Sequence, residues 1–179
     1  LLPYVPEADA SGPAAASFGF QVRDNGGTAN GGVDLDATPA TLTIDITPVN
    51  DAPLLTGEPI HAGAIDEDVA LTSNTGVTVA MLIADGSFSD VDLSPASSAP
   101  EAIGVTAVDN SHGQWQYKIG SGFWTAFNFS GANAGTALLL DPTDSVRFVP
   151  SANWNGEVTD GLSFKAWDRA DYKTPGQYA

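Results

Sequence analysis

The sequence predicts an all-β fold of antiparallel β-sandwich repeats in tandem. Apolar residues alternate with polar ones over short runs, spacing at three and four is nearly absent, and the runs are cut by Gly, Pro, Asn and Asp. With 19 glycines and 12 prolines in 179 residues, turns have ample material. In "TLTIDIT", Leu42, Ile44 and Ile46 fall on one face and Thr41, Thr43, Asp45 and Thr47 on the other, the signature of a strand with one wet face. Strands are expected over 16–23, 40–47, 63–65, 77–83, 103–108, 114–119, 124–129, 136–140, 145–149 and 162–167. The stretch "WQYKIGSGFWTAF" reads as a hairpin turning at Gly120 to Gly122, with Trp115 and Tyr117 facing inward. "VTVAMLIADG" suits either a short helix or a fully buried strand.

Composition narrows the function. Against 22 acidic residues stand 6 basic ones, for a formal charge of -16. Such a surface repels phosphate backbones and anionic headgroups, so neither nucleic acid nor a membrane surface is an expected partner, and cations are. The 42% hydrophobic content supplies a core despite the charge. No cysteine is present for disulfide or thiol chemistry. No long apolar run spans a bilayer, and no signal-peptide pattern opens the chain.

An internal repeat sets the organisation. "YVPEADASGPAAASFGFQVRDN" from Tyr4 aligns without a gap on "FVPSANWNGEVTDGLSFKAWDRA" from Phe148, so that Pro6 meets Pro150, Gly12 meets Gly156, Phe20 meets Phe164 and Asp24 meets Asp168. The expected domains are therefore residues 1–50, the C-terminal strands of one sandwich repeat, and 51–179, a following repeat lacking its last strand. The seam is "PVNDAP", where Pro48 and Pro53 restrict the backbone around Asn50 and Asp51. An open fragment of this kind fits a window cut from a long array, or chains that complete each other by strand exchange.

The motifs "DNGG", "PVNDAP", "IDEDVAL" and "FSDVD" resemble those of the cadherin-like and VCBS-type tandem repeats of large secreted bacterial surface proteins, RTX adhesins among them. The resemblance implies Ig-like or cadherin-like sandwiches joined end to end, an extracellular bacterial location, and Ca²⁺ at the junctions. By it, Asn50, Asp51, Glu67, Asp90 and Asp92 are candidate metal ligands. Pro48 and Val49 stand where the cadherin linker has a further acid, which leaves the number of ions open.

The chemistry agrees with a hard cation, which takes six to eight oxygens from carboxylates, carboxamides and carbonyls. Asp68 beside Glu67, and Asp24 and Asp168 at the ends of the two repeated strands, join the candidate ligands. Each has a simpler reading. Asp24 with Asn25, Gly26 and Gly27 is also a turn signature. Asp34 and Asp36 divide evenly between ligand and solvated acid, and Asp109 and Asp141 read as turn caps. Catalysis is not expected: His61 and His112 are the only neutral-pH bases, and no nucleophile elbow or phosphate loop is present.

The expected function is a structural spacer of an extracellular adhesin, stiffened by Ca²⁺, with neighbouring repeats as its partners. The alternatives are a carbohydrate-binding module for surface glycans, with loop residue Trp154 as the exposed platform, and a filament subunit built by strand exchange.

Overall fold

The computed structural model describes residues 3–57, 60–92, 102–133 and 135–179. By internal contacts the chain falls into two compact units, Leu1–Asn50 and Asp51–Ala179.

The first unit is a two-stranded antiparallel ladder. Strand β1 (Gly12–Phe20) pairs with β2 (Ala40–Ile46), Phe18 opposite Leu42 and Phe20 opposite Ala40, with an irregularity between Gly12 and Ala16. The pairing resumes where Arg23 faces Leu35. There the Asp24 N–H donates to the Asp34 carbonyl, and the Asp36 N–H to the Val22 carbonyl, both at 2.9 Å. Ile44 and Ile46 are half-buried as the alternation predicts, but Leu42 is 44% exposed. Phe18 and Phe20 are also exposed, and no described residue of this unit is buried. A ladder of two strands without a buried face is marginal in water.

Among its described residues the second unit is all-β but for one short α-helix and a 3₁₀ turn at Gly131–Asn133. Its elements are β3 (Leu54–Thr56), β4 (Val77–Thr78), α1 (Val79–Asp85), β5 (Ser87–Ser89), β6 (Ala102–Val108), β7 (Gly113–Lys118), β8 (Thr125–Ala126), β9 (Leu138–Leu140), β10 (Ser145–Pro150) and β11 (Leu162–Trp167). They form antiparallel sheets in the orders β4-β10-β7-β8, β11-β6-β9 and β3-β5. The expected hairpin is present, with Gln116 opposite Ala126 and Tyr117 opposite Thr125. Residues 63–65 are not a strand, whereas 54–56 and 87–89 are, and the expected strands at 124–129 and 136–140 shorten to two and three residues.

The ambiguous segment divides: two residues of strand, then helix. Val79, Leu82 and Ile83 are buried, an i, i+3, i+4 stripe, while Met81 is 61% exposed. Seven residues do not hold a helix by propensity alone, so its first N–H groups need partners. Thr78 Oγ1 accepts from the Met81 N–H, and the carbonyls of Asp144 and Pro142 accept from Val79 and Ala80 at 2.9 and 3.0 Å. The β9–β10 turn thus caps the helix.

The main core gathers Val79, Leu82, Ile83, Ile103, Val105, Trp115, Phe127, Leu138, Leu140 and Val146. Ile103 and Val105 alternate with Ala102, which joins Leu139 and Trp167 in a second buried cluster. Residues 177–179 run beside β9, with reciprocal backbone hydrogen bonds between Ala137 and Ala179 at 2.8 and 2.9 Å.

Two charged side chains are structural members of this core. Asp144 is 2% exposed. Its Oδ1 accepts from the Gly120 N–H at 2.8 Å and its Oδ2 from the Asp141 N–H at 2.7 Å, tying the β7–β8 turn to the β9–β10 turn. Arg147 is 7% exposed. It donates from Nε to Gln116 Oε1 at 2.8 Å and from one terminal nitrogen to the Leu71 and Asn74 carbonyls, both at 3.0 Å, with its guanidinium 4.3 Å from the Trp124 ring centre. Residues 71–74, which have no regular structure, are held to the sheet this way. Nearby Gly76 has φ +68°, and a Cβ there would stand 2.2 Å from the Val146 carbonyl oxygen, so only glycine fits.

The repeat seen in the sequence has a backbone counterpart. Asp9 and Asn153, aligned partners, both take positive φ, at 62° and 58°, as do the aligned glycines Gly12 and Gly156. The Glu7 carbonyl accepts from the Ala10 N–H as the Ser151 carbonyl does from Trp154. The Asp24 carboxylate accepts from the Gly26 N–H as Asp168 does from Ala170.

Candidate functional site

The candidate ligands fall into separate groups. The first is Asp51, Asp90 and Asp92. Pairing of β3 with β5 sets Leu54 opposite Ser89, which brings the residues preceding Leu54 alongside those following Ser89. The Asp51 N–H donates to Asp92 Oδ2 at 2.5 Å, and the Asp92 N–H to Asp90 Oδ1 at 2.9 Å. A seam residue therefore lies against the Asp-Val-Asp pair.

A second group forms around the loop that follows β10. The Asn153 N–H donates to Asp68 Oδ1 and the Asn155 carboxamide to Glu67 Oε2, both at 3.2 Å. Both acids hold a loop of their own unit.

Asp24 and Asp168 close turns. Each accepts from a backbone N–H two residues on, at 2.8 and 2.9 Å, and Gly27 takes φ +75°. Asp34, weighed as ligand or solvated acid, is in neither state: it forms an ion pair with Arg23 at 2.6 Å. Asp36 accepts from the Thr38 N–H at 3.0 Å. Asp109 caps its turn as expected, and hydrogen bonds from the Ser111 N–H and hydroxyl hold its carboxyl below the ordinary carboxylate range.

Asp141 does not act as a turn cap through its carboxylate. Its Oδ1 lies 3.2 Å from Arg169 Nε but is buried without a hydrogen bond. Burial pushes its carboxyl up, against the pull of Arg169. Among the described residues, no three acidic or imidazole side chains converge so as to hold a metal ion.

Trp154 is half-buried, not exposed. His112 stacks on its ring at 4.7 Å and Phe148 meets it edge-on at 6.2 Å. Its aligned partner is Ala10, so neither the aromatic pair nor this covering was legible from the repeat. Trp115 and Tyr117 face the core as expected, Trp115 with 7% exposure. The most exposed rings among the described residues are Phe123 and Tyr172, at 93% and 95%. Asp144 and Arg147, the two charged residues most deeply built into the fold, carried no sequence signal beyond their positions in and beside a predicted strand.

Fold and site together define an all-β, β-sandwich-like protein with acidic turns. Comparison with protein-family models, with curated proteins and with solved structures yields no match.

Proposed function

We propose that this chain is a spacer segment of tandem, Ig-like or cadherin-like β-sandwich repeats in a secreted bacterial surface protein, stiffened by Ca²⁺ at the seam. The observation that carries the calcium reading is the Asp51 N–H bond to Asp92 Oδ2, with Asp90 bonded in turn to Asp92. These carboxylates and the Asn50 carboxamide are hard oxygen donors of the type Ca²⁺ takes, and three of the four residues are already neighbours. The side chains do not form a completed cage, so carbonyl oxygens and water would fill the remaining coordination. With 22 acidic residues against 6 basic, the chain gains from any bound cation by relief of self-repulsion.

The two units meet in sequence between Asn50 and Asp51, both candidate ligands. The first unit is read as the closing hairpin of one repeat, and the second as the body of the next. An ion bound by the seam and by Asp90 and Asp92 would turn a hinge into a strut.

The test compares wild type and Asp90→Asn/Asp92→Asn in EDTA and in millimolar Ca²⁺, by melting curve and small-angle scattering. Wild type should melt higher and bend less with Ca²⁺, and the variant should not respond. Identical wild-type curves in both buffers would end the calcium reading.

A further inference from the structure

Residues 168–175 run as a strap, without helix or strand, between two anchored ends. At one end Trp167 closes β11 in a buried cluster with Ala102 and Leu139. At the other, the Gly176 N–H donates to the Leu139 carbonyl at 2.8 Å and the Leu139 N–H to the Gln177 carbonyl at 3.0 Å, which lays the chain along β9. Between these ends Arg169 and Tyr172 take φ of 64° and 56°, a region that large side chains rarely enter and keep only where other contacts hold them.

Two carboxylates supply such contacts, in opposite surroundings. Asp141 Oδ1 lies 3.2 Å from Arg169 Nε, and this oxygen is buried and accepts no hydrogen bond. Asp171, beside Tyr172, is exposed and accepts from the Trp167 indole at 3.1 Å and the Lys173 N–H at 3.2 Å, with Lys173 Nζ also at 3.2 Å. Burial without hydrogen bonds disfavours the charged form of a carboxyl, whereas donated hydrogen bonds favour it.

We propose that acid opens these two fastenings in order: a proton taken up by Asp141 releases Arg169 and loosens the turn at 168–170, while Asp171 still holds the strap to Trp167. On release Asp141 becomes neutral, and Arg169 keeps its charge and turns into solvent, where 34% of its side chain already lies. The turn that carries Asp141 stays in place, because it is held by its backbone: the Asp141 N–H donates to Asp144 Oδ2, the Asp141 carbonyl accepts from the Asp144 N–H, and the Pro142 carbonyl accepts from Ala80.

The acidities agree with this order. Burial, working against Arg169 and alongside the charge of Asp144, pushes the Asp141 carboxyl above its ordinary value. Desolvation of Asp171 is outweighed by its bonds from Lys173 and Trp167, which hold that carboxyl below the ordinary range. The Arg169 fastening is therefore closed at neutral pH and lost as pH falls through the raised value, and the Trp167 fastening outlasts it. Of the other groups around the pair, Asp144 accepts a backbone N–H on each oxygen, Asp168 accepts from the Ala170 N–H, and Gly120 and Ala80 do not titrate.

The proposal does not rest on bound calcium, so NMR on the full chain in EDTA tests it. The titration runs from about pH 7.5 to about pH 4.5, where an ordinary aspartate stays largely charged. The Asp141 carboxyl carbon and the Arg169 Nε–H should move together, and backbone order parameters at 169 and 170 should fall from about 0.85 to below about 0.6. The Trp167 indole N–H should not move. Asp141→Asn, and Arg169→Gln, which breaks the pair from its other side, should both show the low order parameters already at neutral pH. Asp171→Asn should shift the Trp167 indole N–H and leave the joint titration of Asp141 and Arg169 in place.

An Asp141 carboxyl that does not titrate in this range overturns the proposal, as does a turn that stays ordered while Asp141 titrates. So does a Trp167 indole that moves with Asp141, or either pair-breaking variant with wild-type order at neutral pH.

Discussion

Replacing Asp144 tests whether the second unit is held by a buried carboxylate as much as by its apolar core. The side chain is 2% exposed and accepts two backbone N–H bonds, from Gly120 at 2.8 Å and Asp141 at 2.7 Å. A hydrogen bond to a charged group contributes about 1.5–3 kcal/mol, and each stranded N–H adds to the loss. Asp144→Ala should therefore cost about 3–5 kcal/mol. Asp144→Asn keeps one acceptor but turns an NH₂ toward a donor, for about 2 kcal/mol. At this chain length about 3 °C accompanies each kcal/mol, so the alanine variant should melt about 10 °C lower. All four tryptophans, Trp115, Trp124, Trp154 and Trp167, lie in the second unit, so fluorescence during denaturant unfolding reports on that unit alone. The exposed Glu157→Ala is the control. If both Asp144 variants unfold within about 1 kcal/mol of wild type, the two turns are not held by this carboxylate.

Two further substitutions separate the remaining charged groups. Arg147→Met keeps the stem but strands the Leu71 and Asn74 carbonyls and removes the ring contact with Trp124, so a loss of about 2–4 kcal/mol is expected, with faster amide exchange around residues 71–76. An unchanged exchange pattern there would show that the loop holds itself. Asp141→Asn, three residues from Asp144, should leave stability at neutral pH within about 0.5 kcal/mol of wild type or raise it. Burial raises the folded carboxyl above its ordinary value, so the charged form burdens the fold above that raised value and the burden lifts as pH falls through it. Wild type should therefore gain on the variant during acidification, and chemical unfolding at a series of pH values reads this directly; a gap that widens in the other direction refutes it.

The legible part of the fold was the part governed by local chemistry. "TLTIDIT" alternates and is a strand, and "YKIGSGF" carries its hairpin turn. Trp115 and Tyr117 face inward because a two-residue period admits only two faces. The helix was ambiguous because its seven residues are nearly all apolar or small, and its identity is settled by carbonyls of Pro142 and Asp144, some sixty residues away. Strands 54–56 and 87–89 were missed because each is three residues long and derives its order from the other. For the candidate ligands the sequence shows residue types, and only part of which of them become neighbours. Asp51, Asp90 and Asp92 come together, whereas Glu67 and Asp68 fasten the loop of Asn153 and Asn155, a contact across 85 and 88 residues with no local signature. Trp154 was misjudged for the same reason, since His112 reaches it from another turn.

Turn and ligand are compatible roles for the same aspartates, and this explains why the sequence did not separate them. Asp24, Asp36, Asp90, Asp109, Asp168 and Asp171 each accept a backbone N–H from two residues ahead. Such a turn engages one carboxylate oxygen and fixes the rotamer, while a cation coordinated in one-oxygen fashion needs the other. A carboxylate already oriented by its turn loses less side-chain entropy when an ion arrives. What distinguishes a site is then not the turn but a second acid delivered by a distant segment. Asp90 is joined to such a segment through Asp92, which accepts the Asp51 N–H across the β3–β5 ladder. Asp109 is bonded through both oxygens to Ser111, and Asp171 is shared among Lys173 and Trp167. The chemistry therefore ranks the β3–β5 end of the second unit first, and predicts that Asp109→Asn leaves any Ca²⁺-dependent shift in melting intact while Asp90→Asn/Asp92→Asn abolishes it.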